Sequence, residues 1–137
     1  MAANTSPIFT KAPRSAWVTL SASAVTGMDG TDANVKTVFT ADATNGSKIE
    51  DVFIQPTATN TLTVVRFWVN NGSTAGTAAN NTLVHEEVVI ANTIAQTTAA
   101  VANVWRANLL LPAGYKLLAA QGVATGVMQV TAQGGDF

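Results

Sequence analysis

The stretch NVWRANLLL, Asn103–Leu111, decides how the rest of the chain is read. Taken with a period of two, it puts Trp105, Ala107, Leu109 and Leu111 on one face and Arg106 and Asn108 on the other. That is the pattern of a β-strand with one buried face. Pro112-Ala113-Gly114 closes it, because proline cannot continue a ladder and glycine accepts the dihedral angles of a tight turn.

Working outward, Tyr115–Gln121 repeats the alternation more weakly, with Tyr115, Leu117 and Ala119 opposite Lys116 and Leu118. Thr61–Asn70 (TLTVVRFWVN) is the most hydrophobic segment: Val65, Phe67 and Val69 share one face, and Leu62, Val64 and Trp68 share the other with Arg66 among them. A strand apolar on both faces is either covered on its outer side or placed at an interface. Trp17–Ser23, Val35–Ala41, Lys48–Gln55, Asn81–Ala91 and Gly126–Gln133 complete a set of about eight short strands. Thr82–Ala91 fits a strand better than a helix because Val84, Val88, Val89 and Ile90 are β-branched.

Between them lie Gly/Asp-rich Val25–Asn34, the Thr44-Asn45-Gly46-Ser47 turn with its Asn-Gly hairpin signal, Asn71–Asn80 without an apolar anchor, and Ala95–Ala102, with room for one helical turn. Residues 1–15, with Pro7 and Pro13, read as an extended N-terminal arm, with a disordered tail as the alternative. Ile8 and Phe9 suit an arm that docks, since a solvated tail has little use for adjacent large apolar groups. Residues 16–137 then form a single all-β domain, an eight-stranded sandwich of the jelly-roll kind.

Composition narrows the function. Hydrophobic residues make up 47% and charged residues 11% of the 137, with one histidine and no cysteine. Surface polarity therefore rests on Thr, Asn, Ser and Gln, which seldom do chemistry without a positioned base, acid or metal. Without cysteine there are neither disulfides nor thiolate metal sites. A net charge of −1 with unclustered Lys and Arg argues against nucleic acid and against an anionic membrane surface. No apolar run approaches the roughly 18 residues of a membrane span, and MAANTSPIFTKAPRS lacks the order of a signal peptide. A mean hydropathy of +0.24 with so little charge fits a protein whose surface is covered by partners.

The reactive residues support no enzyme. On a strand, His85 and Glu87 share a face and Glu86 points away, which leaves two metal ligands and a weak site. Glu50 and Asp51 should face opposite sides and make a poor acid–base pair. Asp29, Asp32 and Asn34 resemble the start of a calcium loop but lack its closing glutamate. No serine sits in a nucleophile-elbow context. Asn45-Gly46-Ser47 and Asn71-Gly72-Ser73 match a glycosylation sequon, as expected by chance in so Asn- and Thr-rich a chain, and the closing Gly-Gly-Asp-Phe only superficially matches a cyclase signature. No catalytic residue, metal or cofactor is expected. Trp17, Trp68, Trp105 and Tyr115 could stack on sugar rings. Trp105 alternates with core positions, whereas Trp68 beside Arg66 is the better contact residue.

The order VFTADATNGSKIEDVFI, TLTVVRFWV, LLLPAGYKLLAA, VMQVTAQGGDF, from Val35 to Phe137, resembles a family of small structural proteins encoded in tailed-phage and prophage head gene clusters, the jelly-roll capsid cement proteins of the Bordetella phage type. Each piece is turn plus strand, and their order carries the resemblance. It implies a non-enzymatic virion protein, made in the host cytoplasm. It would sit on the outside of an assembled capsid, bind the major capsid protein and a second copy of itself, and cement neighbouring subunits. Candidate interface residues are Ile8, Phe9, Arg66 and Trp68. The competing reading is a receptor- or carbohydrate-binding module of a tail or head fibre; a further competitor is a degenerate metal-binding cupin.

Overall fold

Alternating apolar side chains make strands only if another layer covers the apolar face. The computed structural model, which describes residues 10–137, supplies that layer with a second sheet. The strands are β1 (Ala12–Thr19), β2 (Lys36–Thr40), β3 (Ser47–Pro56), β4 (Thr63–Asn70), β5 (Asn81–Val89), β6 (Asn103–Leu111), β7 (Lys116–Gln121) and β8 (Met128–Asp136). One sheet has the order β1-β8-β3-β6 and the other β2-β7-β4-β5, with every pairing antiparallel. Only β4 and β5 are neighbours in both sequence and sheet; every other connection crosses from one sheet to the other. This wrapped path is a jelly roll.

The crossing pattern corrects one local expectation. Asn45-Gly46 does turn the chain, with Gly46 at φ 78°, but β2 and β3 lie in different sheets, so the turn is an arch and not a hairpin. Asp42 builds it: its carboxylate accepts the backbone N–H groups of Thr44 and Asn45, and its carbonyl accepts those of Gly46 and Gly114. Turn chemistry dictates a reversal, and the pairing partners, far away in sequence, decide which layer the chain enters.

The N-terminal boundary also moves. Ala12–Ser15, read as arm, belong to β1, and the first strand ends at Thr19 rather than Ser23. Pro13 is tolerated because β1 is, among the described residues, an edge strand whose sheet partner is β8. Arg14 fixes this edge by donating to Asp136 Oδ1 at 2.9 Å and to the Thr40 carbonyl at 3.1 Å, with its guanidinium 4.5 Å from the centre of the Phe39 ring. Asp136 also accepts the Ser47 hydroxyl. The closing Gly-Gly-Asp-Phe is thus the end of β8, and Gly134 is needed there because a Cβ would lie 1.9 Å from the Lys48 carbonyl oxygen.

Between the sheets lies the main core, with Phe39, Ile49, Val52, Ile54, Val65, Phe67, Leu117 and Val130 fully buried. The expected inward set of β6 is found there: Trp105, Ala107 and Leu109 pack against the core and Leu111 is buried in it. A bulge in β6 puts Asn108 at φ 43°, a conformation asparagine accepts more readily than most residues. The segment 71–80 has no large apolar anchor, as its sequence indicates. It is tied instead by asparagines: Asn81 Nδ2 donates to the carbonyls of Asp29 and Ala75, and Asn80 Nδ2 to that of Thr74. Its one regular turn is a 3₁₀ turn at Ala78–Asn80. No such turn is assigned at 95–102, where a single bridge joins Ala95 and Thr98.

Candidate interaction surface

The alternation of β4 turns Val65 and Phe67 into the sandwich and Val64, Arg66 and Trp68 outward, as read from the sequence. What happens outside differs along the strand. The connection from Leu20 to Val35 folds back over this outer face and buries Trp68, whose relative exposure is 0%. The indole Nε1–H donates to the Met28 carbonyl at 2.8 Å. Gly30, at φ 72°, lies against the ring, where a Cβ would come within 3.0 Å of the indole Cγ. Val25 is buried beside Leu118 and Ala120 to complete a second small core, and its N–H donates to the Gln121 carbonyl at 2.9 Å. Trp68, expected at an interface, is therefore an interior residue: a side chain without accessible surface offers none to a partner.

Arg66 marks where the cover ends. Its Nη1 donates to the Val25 carbonyl at 2.9 Å, and its Nε to Glu86 Oε1 at 2.8 Å on the adjacent strand. Beyond it the face is open. Leu62, Val64, Val88 and Val123 line a depression of about 310 Å³ with Arg66 at its edge. Leu62 is 61% exposed, Val88 56% and Val123 44%. Ile90, exposed in turn, follows Val88 by two residues. A run of uncovered aliphatic side chains beside a partly buried guanidinium has the composition of a protein contact, since water gains nothing from such a surface and a partner can cover it. Leu62 and Val64 were legible as outward apolar positions; Val88 and Val123 were missed. The alternation of β5, with Val84 and Val88 outward, was the available signal.

The remaining candidates have structural occupations. His85 and Glu87 share the inner face at the β5 edge, Nε2 to Oε2 at 2.9 Å, while Glu86 points out to Arg66. The imidazole stacks on Trp105 with centroids 4.3 Å apart and planes 10° from parallel, and Asn103 Nδ2 donates to Glu87 Oε1 at 3.0 Å. The cluster closes the side of the sandwich where β5 and β6 run unpaired. Asp29 accepts the backbone N–H and the hydroxyl of Thr31; these bonds, the backbone one first, hold its carboxyl below the usual carboxylate range. Asp32 accepts the backbone and side-chain N–H groups of Asn34. Glu50 and Asp51, expected on opposite sides, both face outward because a bulge interrupts β3 between Ile49 and Asp51; they pair with Lys48 and Arg106. Among the described residues, no three His, Cys, Asp or Glu side chains come together to hold a metal ion, and no helix is long and apolar enough to cross a membrane. Ile8 and Phe9 lie outside the described residues.

No protein-family model matches the chain, and no curated protein matches it. Among solved structures, the chain is similar to a mutant VP2 protein of infectious bursal disease virus in derived T=1 particles, with 17% identity and a TM-score of 0.34. The match covers 99% of this chain and 36% of that one, so the chain spans well under half of that protein's length. A likeness this weak carries nothing for function.

Proposed function

We propose that this chain is a structural virion protein that binds the outside of an assembled phage capsid and cements neighbouring major capsid subunits. The observation that carries the reading is the uncovered aliphatic depression at Leu62, Val64, Val88 and Val123, with Arg66 and Glu86 at its rim. The ordered resemblance from Val35 to Phe137 and the low charge of the chain support it. The mechanism is mechanical. A clamp that touches two capsid subunits across a seam binds the second one intramolecularly, so each contact can be weak while the assembled shell is held tightly. A second copy of the chain, as a dimer, would double the contacts. Ile8 and Phe9 would add a docking segment before β1. No catalysis, cofactor, nucleic acid or membrane enters this role.

The test is Val88→Asp, measured for binding to assembled shells of the major capsid protein and for thermal unfolding. Val88 is more than half exposed, so stability should change by no more than about 0.5 kcal/mol. Shell binding should fall about thirtyfold, as for the loss of an interface anchor of about 2 kcal/mol. Unchanged binding would remove this face from the interface and the reading with it.

A further inference from the structure

The outer face of the other sheet carries a different surface. Trp17 on β1 is 69% exposed, a large ring held on a strand with no described residue folded over it. The register puts it in a row with Thr131 on β8, Phe53 on β3 and Val104 on β6. Two strand steps separate Trp17 from Phe53, about 10 Å at the usual strand spacing. On β8, Gln129 and Gln133 flank the row on either side, both exposed and both on the outer face. We infer that this face is a platform for a neutral glycan chain, with Trp17 as the stacking residue.

The chemistry of the row selects that class of ligand. A pyranose ring has an apolar C–H face, which lies on an aromatic ring, and a rim of hydroxyls that both donate and accept. Glutamine amides also donate and accept, and so answer a hydroxyl in either orientation. An exposed indole supplies contact area at little cost in side-chain entropy. Charge points the same way. The ionised groups on this face pair among themselves, Asp51 with Arg106 and Glu50 with Lys48. An uncharged ligand is thus matched without stripping water from a lone charge.

The inference does not rest on capsid binding, and its test uses the free full-length chain. Maltohexaose, cellohexaose and mannohexaose are titrated separately, followed by intrinsic fluorescence and calorimetry. At least one should bind saturably with a Kd of about 1 mM or tighter. Trp17→Ala should weaken that binding about tenfold or more, leave the melting temperature unchanged and leave shell binding intact; Trp17→Phe should recover part of the loss. The proposal is overturned if no probe saturates at about 10 mM, if binding survives Trp17→Ala, or if Trp17→Ala releases the protein from shells, which would mean that a protein covers this face. Loss of sugar binding in Val88→Asp would overturn it too, by placing the sugar in the aliphatic depression.

Discussion

One strand, β4, serves two surfaces that differ only in what lies over them. At Trp68 the outer face of the second sheet is roofed by the chain's own Leu20–Val35 connection, and the indole joins the interior. A few residues earlier, at Leu62 and Val64, the same face is open and its apolar side chains meet solvent. Sequence composition does not distinguish the two ends, since both are apolar. The difference is made by a loop whose anchoring groups are mostly backbone: the Met28 carbonyl on the indole, the Val25 carbonyl on Arg66, the Asp29 carbonyl on Asn81. The covered half should respond to mutation in stability, and the open half in binding.

The sharpest separation comes from Trp68→Ala. Truncating a fully buried tryptophan should cost about 3–5 kcal/mol, read as a lower midpoint in chemical denaturation. Shells should still bind whatever fraction remains folded. A variant that keeps its stability but releases the shell would break the comparison by making Trp68 a contact after all. Arg66→Ala tests the border and should show an intermediate effect on both sides. It removes a charged donor from the Val25 carbonyl, about 1–2 kcal/mol of stability, and one rim group of the depression. The Arg66–Glu86 pair is half-exposed at its carboxylate, so a double-mutant cycle with Glu86→Ala should give a coupling of only a few tenths of a kcal/mol.

The smallest effect concerns the roof itself. The carboxyl of Asp29 is held below its ordinary value by the Thr31 N–H. A group depressed in the folded state stabilises it above its unfolded pKa of about 3.9, and that contribution is lost as pH falls through the lower folded value. The wild-type chain should therefore lose slightly more stability between pH 5 and 3 than Asp29→Asn, by denaturant midpoints. Equal losses would mean that the Thr31 bonds do not hold the loop.

Periodicity made much of this legible. The alternation of 103–111 and of 61–70 identified strands with their correct inner faces, and the two-sided apolarity of 61–70 posed the right question: covered, or at an interface. At Trp68 the face is covered, and at Leu62 and Val64 it is open. Separating the two needed the path of Val25–Asn34, whose few apolar residues give no sign that the loop doubles back onto a sheet. Trp68 finds its cover some forty residues away in sequence, through a glycine and a carbonyl, neither of which announces a partner. The same limit explains Asn45-Gly46, where turn residues specify a reversal but not the layer entered. Pro13 concealed the start of β1, because its legitimacy there depends on being at an edge, a property of the sheet and not of the segment.

The sheet order also has a consequence for the time course of folding. β8 lies between β1 and β3, so residues near the start of the described chain bond directly to residues near its end, Ala12 opposite Asp136. During synthesis, β1 must wait for Met128–Asp136 before it has a neighbour, and the β4–β5 hairpin alone can form from adjacent sequence. Such distant pairing places the chain among the slower folders, on the scale of milliseconds to seconds. The first sheet then closes late, with the strand that bears Trp17 paired within its sheet only to β8.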